Sequence, residues 1–206
     1  MNTGKQIITL HHKHAQAYIV CVNGIYVMID AGYPESFNTF GKILSMHGIA
    51  YSKIKYLIIT HFHPDHAGLV QPLMDLGIQL LMHENQKGYT AWMNNYFVKH
   101  YTRNKGVPHK KYQPITKEGL LLSTEGSEKL FSENGIAGKI ISTPGHSDDS
   151  ITFIIDDMAF TGDLPRYDLM SLYKSEIIRD SWDKILKNKV KEIYPGHGNN
   201  YLFIDL

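Results

Sequence analysis

Residues 61–66 read His-Phe-His-Pro-Asp-His and concentrate side chains that bind metals. In extended backbone, side chains two residues apart share a face, so His61 and His63 can reach one ion. The proline that follows is typical of the first turn of a helix, from which Asp65 and His66 would project in another direction. Four ligands that point in two directions favour two neighbouring metal ions over one.

A single ligand-type residue comes after a glycine turn at three further places: His146, Asp163 and His197. Each turn follows a short apolar run that we interpret as a strand. Side chains at the ends of neighbouring strands converge at one edge of a sheet, where the sites of α/β proteins usually lie. With the first cluster they make seven ligands, enough for two ions that share one of them.

The elements that must position these residues alternate between strand and helix. Two apolar runs flank Asn23-Gly24, a dipeptide that favours a tight hairpin turn. The hydrophobic spacing and the glycine stops predict helices over 35–48, 66–76 and 181–188, the last capped by Asp180 or Ser181. Strands are predicted over 17–22, 25–30, 55–60, 78–82, 139–142, 150–156, 158–161 and 192–194. This pattern indicates an α/β protein in which a sandwich of sheets has helices outside.

Length and composition are typical of one globular domain spanning residues 1–206. Hydrophobic residues make up 43% of the chain and charged residues 20%, with a formal net charge of +1. The 12 histidines and one cysteine favour a metal site of imidazole and carboxylate over one of thiolate. No apolar run approaches the ~20 residues of a membrane span, and the first residues lack a signal-peptide pattern. We therefore expect a cytoplasmic protein without a membrane partner.

The combined motifs HFHPDHAG, TPGHS, FTGD and YPGHG, with the opening run YIVCVNGIYVMIDAG, resemble the metallo-β-lactamase-fold hydrolases. The resemblance implies a four-layer αββα sandwich and two divalent metal ions, zinc first, with iron or manganese as alternatives. At matching positions it implies that Asp163 bridges the ions and that Asp30 and Asp65 orient neighbouring groups. It further implies a first metal on His61, His63 and His146, and a second on Asp65, His66 and His197.

The Gly162-Asp163 pair is more similar to the glyoxalase II, lactonase and phosphodiesterase branches than to the antibiotic-cleaving enzymes. We therefore predict a dinuclear hydrolase that uses a metal-bridging hydroxide on an ester, thioester or lactone. A bound divalent metal lowers the pKa of water from 15.7 to about 7, so no serine or cysteine nucleophile is required. Asp65 is predicted to be the catalytic residue that takes or passes a proton.

Other activities stay open at this point. A phosphodiesterase is one alternative, and a mononuclear-iron persulfide dioxygenase is another, since that group resembles this fold and can carry all seven motif residues. A binding protein that has lost catalysis is disfavoured because every ligand position is filled. The flavodiiron branch is also disfavoured, because it has Glu at the position of His63. Metal content separates the hydrolase, with two zinc-like ions, from the oxygenase, with one iron.

A basic segment, residues 85–117, lies between the two halves and is predicted to be an insertion. It contains seven Lys and Arg residues and no Asp or Glu, with aromatic residues between them. A lid that selects an anionic small molecule is one interpretation, and a solvated face or an oligomer contact is the other. The segment is too short to favour a nucleic-acid partner. After Asp163, the candidate substrate-binding residues are Arg166, Tyr167 and Tyr173.

Overall fold

The computed structural model describes residues 6–103 and 111–203, and only the backbone at 101–103. Its first sheet has the strand order β1-β2-β3-β4-β5-β6. The first three strands pair antiparallel, and the pairs from β3 to β6 are parallel. These strands are β1 (Gln6–His12), β2 (Ala15–Val22), β3 (Ile25–Ile29), β4 (Ile54–Ile58), β5 (Gln79–His83) and β6 (Leu120–Leu122).

The second sheet has the order β11-β10-β9-β8-β7, with β9 and β10 parallel and the other neighbours antiparallel. Its strands are β7 (Gly138–Ser142), β8 (Ile151–Ile155), β9 (Met158–Gly162), β10 (Glu192–Pro195) and β11 (Tyr201–Leu202). The helices are α1 (Phe37–Met46), α2 (Val70–Asp75), α3 (Tyr89–Arg103), α4 (Thr124–Glu133) and α5 (Glu176–Leu186).

The strands are apolar on both faces, because each sheet is covered on both sides. Ile29 in β3 and Phe160 in β9 point into the core between the sheets. Met28, the neighbour of Ile29, packs with helices α1, α2 and α3 on the outer face of the first sheet. Trp182 of α5 covers the outer face of the second sheet. The predicted α/β sandwich is confirmed, with helix, sheet, sheet and helix as successive layers.

The hairpin at Asn23-Gly24 is confirmed, and both residues have the positive φ that such a turn requires (52° and 78°). The helix predicted over 66–76 is shorter, beginning only at Val70. The backbone before it bonds to the loop after β3 instead: Gly68 N donates to Gly32 O and Ala31 N to His66 O. A Cβ on Gly68 would lie 2.4–2.5 Å from that loop, so only glycine permits the approach.

The start predicted for the last helix was wrong. α5 begins at Glu176, and the cap is Ser175, whose hydroxyl accepts from Ile178 N. Ser181 lies fully buried within the helix and donates to the carbonyl of Pro144 at 2.7 Å. The serine that we interpreted as a cap therefore ties α5 to the loop that carries His146. Strands β1, β6 and β11 and helix α4 were not predicted.

Candidate metal centre

The seven predicted ligands meet at the carboxyl ends of strands from both sheets. Within the described residues, three groups have ligand atoms that all lie within 4.8 Å of one another. They are His61, His63 and His146; His61, His66 and Asp163; and Asp65, His66 and His197. Residues 61–66 follow β4, while His146 follows β7, Asp163 follows β9 and His197 follows β10. The fold thus brings together residues that are up to 136 positions apart, from His61 to His197.

The spacing of the histidine nitrogens matches a shared metal ion. His146 Nε2 lies 3.1 Å from His63 Nδ1, and His66 Nε2 lies 3.4 Å from His197 Nε2. Two nitrogens on one tetrahedral zinc, with bonds of about 2.0–2.1 Å, are about 3.3 Å apart. Each pair therefore has the separation expected of two ligands on one ion.

Asp163 lies between two of these groups: the first is His61, His63 and His146, and the second is Asp65, His66 and His197. Its Oδ2 is 3.8 Å from His61 Nε2 and 3.6 Å from His146 Nε2, both in the first group. The same oxygen is 3.3 Å from His197 Nε2, and Oδ1 is 3.3 Å from His66 Nε2. One carboxylate thus faces nitrogens of both groups, as a residue shared by two ions must.

A buried nitrogen at the centre of the cluster supports the same interpretation. His61 Nε2 is shielded from solvent and has no hydrogen-bond partner among the described residues. A buried polar atom without a partner is costly unless it binds something else. A divalent cation among imidazole nitrogens and carboxylates would satisfy it, so the residues present fit a metal ion.

Hydrogen bonds at the other ring nitrogens orient the imidazoles. His66 Nδ1 lies 2.8 Å from Asp30 Oδ2, and Asp30 also accepts from Thr60 N at 2.7 Å. His197 Nδ1 lies 2.6 Å from the carbonyl oxygen of His14. Carboxylate and carbonyl oxygens only accept, so both Nδ1 atoms carry the proton and both Nε2 atoms face the cluster. The supporting role expected of Asp30 is confirmed.

Without a bound metal ion, nearby carboxylates keep the imidazoles of His66 and His197 protonated. Burial lowers the pKa of His66, but Asp30 and Asp163 outweigh it and raise the pKa to about 10. Hydrogen bonds to Asp163 and Asp65 raise the pKa of His197 to about 11. Ligand imidazoles must be neutral, so a bound cation would take the place of these protons.

The other histidine group behaves in the opposite way. Burial, reinforced by the nearby His66, lowers the pKa of His61 well below its usual value. Burial and the adjacent His146 lower the pKa of His63. These two imidazoles are therefore neutral at pH 7 and available as ligands without the loss of a proton.

Residues of β2 hold the loop that carries His197. Gln16 N donates to Gly196 O at 2.9 Å, and the Gln16 side chain donates to Gly198 O. The buried hydroxyl of Tyr18 donates to Pro195 O at 2.6 Å. A Cβ on Gly196 would lie 2.5 Å from the His66 ring, so a side chain there would intrude on the cluster.

A second buried network, not predicted from the sequence, holds the loop of residues 59–63. Asp149 accepts from Phe62 N at 2.6 Å. Gln86 donates to the carbonyl of Ile59 at 2.8 Å and to that of Asp149 at 3.1 Å. Among the residues that support the two loops, only Gln16 has a local signal in the sequence, because it is a polar residue within an apolar strand. Nothing near Gln86 or Asp149 in the sequence indicates their contacts.

The structure places two of the three predicted substrate-binding residues in a cavity beside the cluster. Arg166 and Tyr173 line a cavity of about 270 Å³ together with His146, Asp163 and His197. Leu169, which was not predicted, lines the same cavity. The ring of Tyr167 packs instead against Trp182 and Phe203, with centroids 5.4 and 4.7 Å apart. Tyr167 therefore supports the loop from behind and is not among the cavity residues.

The described start of the basic segment lies beside the cluster. Helix α3 places the ring of Trp92 at 6.0 Å, between centroids, from the ring of His63. Four lysines of the segment have described side chains, and all are exposed: Lys87, Lys99, Lys111 and Lys117. The remaining cations, Arg103, Lys105 and Lys110, have side chains outside the described part.

Comparison with known proteins identifies the family of the chain. Residues 13–197 match the family model described as the metallo-beta-lactamase superfamily. The chain belongs to the metallo-beta-lactamase superfamily. Members of this superfamily are generally hydrolases, and here the His and Asp groups characteristic of a metal site are in place. No helix in residues 6–103 and 111–203 has the length and hydropathy to cross a membrane.

Individual members of the superfamily resemble the chain at moderate identity. A metallo-beta-lactamase fold-containing protein of Sulfurisphaera tokodaii is 28% identical over 155 residues, covering 72% of this chain and 56% of that protein. A metallo-beta-lactamase domain-containing protein of Xenopus laevis is 25% identical, covering 89% of this chain and 71% of that protein. The structure of a metallo-beta-lactamase family protein from Thermus thermophilus has a TM-score of 0.68 at 17% identity, covering 97% of this chain and 75% of that protein. The chain thus spans about half the length of the S. tokodaii relative.

Proposed function

We propose that this member of the superfamily is a dinuclear metal-dependent hydrolase that cleaves an ester, thioester or lactone. The observation that carries the proposal is the position of Asp163, whose carboxylate faces nitrogens of both histidine groups at 3.3–3.8 Å. A carboxylate so placed can belong to two ions at once. Zinc is the metal expected first for this donor set, with iron or manganese as alternatives.

Each residue has a role in the proposal. The first ion would be held by His61, His63 and His146, and the second by Asp65, His66 and His197. When bound, such ions supply an acidified water and polarise a carbonyl oxygen. Asp65 is partly buried, and its Oδ2 lies 3.2 Å from His197 Nε2, so it can receive a proton at the edge of the centre.

The cavity favours a carbonyl ester over a phosphodiester. Leu164, Leu169 and Tyr173 give it an apolar wall. Its arginine, Arg166, is engaged in two hydrogen bonds of 2.9 Å to Asp168. A phosphodiester carries a negative charge that this paired guanidinium is poorly placed to meet, whereas a neutral ester or lactone needs no such partner.

The test is hydrolysis by purified protein of known metal content. Thioesters, lactones and carboxylic esters should be cleaved faster than bis-p-nitrophenyl phosphate, and chelation should abolish the activity. Asp163→Ala should lower kcat/KM by more than about 100-fold, since even residues that only support a metal ligand contribute 10–100-fold. Asp180→Ala, an exposed aspartate of α5, is the control and should match the wild type. Faster cleavage of the phosphodiester would contradict the proposed substrate class.

The basic segment leads us to propose that the substrate also carries a negative charge, outside the ester group that the cavity receives. Lys99 is exposed on α3, the helix that reaches the cluster at Trp92, so its charge can act near the centre. Lys99→Ser should raise KM for an anionic ester and leave a neutral ester unchanged, most clearly at low salt. Lys55→Ser, at the far end of β4, is the control. An equal change in KM for both esters would show that Lys99 does not act on the charge of the substrate.

A further inference from the structure

Helix α3 presents a row of aromatic rings that begins at the metal centre. Trp92 lies 6.0 Å from His63, Tyr96 stacks on Trp92 at 5.5 Å, and His100 lies 4.4 Å from Tyr96, all between ring centroids. Residues four apart share one face of a helix, so the rings form a continuous strip. We propose that this aromatic strip, Trp92, Tyr96 and His100, binds an aromatic or extended apolar acyl group of the substrate.

The opposite face of α3 already fulfils the packing role of the helix. Met93 and Phe97 are buried against the first sheet, at 0% and 4% exposure. Trp92 remains 42% exposed. A contiguous exposed aromatic surface beside a cluster of metal-ligand side chains is typical of a binding site. The strip is therefore available to a ligand in the described part of the chain.

The far side of the centre is apolar as well. Leu169 and Tyr173 line the cavity next to His146 and Asp163, and they are 40% and 43% exposed. A substrate whose carbonyl lies at the centre can thus extend one substituent toward Trp92 and the other toward Leu169. This inference rests on the proposed hydrolase function and assigns the acyl side to the aromatic strip.

Charge selects the kind of group that the strip accepts. An indole face also attracts cations. However, the basic segment that carries the strip has seven Lys and Arg residues and no acid, and Lys99 is exposed on the same helix. Lys99 disfavours a cationic substituent at the far end of the strip, whereas a neutral aromatic ring can stack on Trp92. The occupant is therefore a phenyl-like or extended alkyl acyl group.

The kinetic test uses thioesters that share one leaving group and differ only in the acyl group: acetyl, hexanoyl and phenylacetyl. Trp92→Ala should lower kcat/KM about tenfold for phenylacetyl and hexanoyl and leave acetyl within about twofold. Trp92→Phe should restore most of the phenylacetyl activity. Val98→Ala, an exposed position six residues further along α3 on another face, should change none of the three. A uniform loss for all acyl groups in Trp92→Ala would overturn the proposal.

A binding measurement keeps this test separate from the hydrolase proposal. Phenylacetate should change the tryptophan fluorescence of the wild-type protein at concentrations where acetate does not. The change should vanish in Trp92→Phe, because the other tryptophan, Trp182, is fully buried between α5 and the second sheet. If no thioester is hydrolysed, the proposed function fails while this titration still decides whether the strip binds the group. An identical response in Trp92→Phe, or none in either protein, would overturn the inference.

Discussion

The Nδ1 of His66 and the Oδ2 of Asp30 lie 2.8 Å apart in a pocket that excludes solvent from both side chains. Asp30 stands one residue after β3, with a φ of 61°, and its carboxylate also accepts from Thr60 N and Oγ1. The pair fixes which nitrogen of His66 faces the cluster. A residue that binds no metal itself therefore determines the geometry of a candidate ligand.

Asp30→Asn tests that relationship with little change in shape, since asparagine tolerates positive φ. An amide nitrogen facing His66 Nδ1 would favour the other tautomer and place a proton on Nε2. We expect the affinity for the second metal ion to fall by about 10–100-fold, measured by competition with a metallochromic chelator. Asp156→Asn, also at positive φ but in the turn between β8 and β9, is the control. Unchanged affinity in Asp30→Asn would contradict the role of this pair.

Tyr18→Phe tests how β2 supports His197. Loss of the buried hydroxyl leaves Pro195 O without its 2.6 Å donor, which should cost about 1–3 kcal/mol of stability. It should also weaken retention of the second ion. Tyr194→Phe is a matched control from the same aromatic cluster, because its hydroxyl donates to Glu192 instead. Thermal unfolding and metal content measured together should separate the two variants, and equal metal loss in both would argue against a specific support for His197.

Metal binding should release protons at neutral pH. With pKa values of about 10 and 11, His66 and His197 carry protons at pH 7 in the metal-free protein, and both must lose them to bind an ion. Calorimetric titration in buffers of different ionisation enthalpy counts these protons. The wild-type protein should release at least one more proton than His197→Gln, and about two more if that variant binds a single ion. The same proton count for both proteins would show that these imidazoles are already neutral.

Much of the fold follows from local sequence. Asn23-Gly24 indicated the hairpin of β2 and β3 because few residues adopt two successive positive φ angles. The buried strand before His61 was evident as an apolar run. Strand β1 was missed because its two-residue turn to β2, Lys13-His14, is not one of the glycine-containing dipeptides that signal a hairpin. The late start of α2 was not predicted because Gly68 bonds to the loop after β3, a contact across 36 residues.

The site divides in the same way. The seven ligand types were recognisable because each stands at a strand end in a compact motif. Among the supporting residues, Asp30 was expected, but Gln16 and Tyr18 were not, since they act on residues 195–198 from the other end of the chain. Trp92 was visible as an aromatic residue of the basic segment, but its position beside His63 depends on the packing of α3. Sequence therefore indicates the chemistry of the centre, and the three-dimensional contacts determine its geometry.

The number of metal ions that the chain binds tests the central claim most directly. Metal-free protein is titrated with zinc, and bound metal is counted by mass spectrometry while thioester hydrolysis is followed at each step. The proposed centre predicts saturation at about two ions per chain, with activity rising until the second ion is bound. The Asp163→Ala protein should bind fewer zinc ions per chain at saturation and stay inactive. Saturation of the wild-type protein at a single ion, with iron as the native metal and oxygen consumed in place of ester hydrolysis, would contradict it.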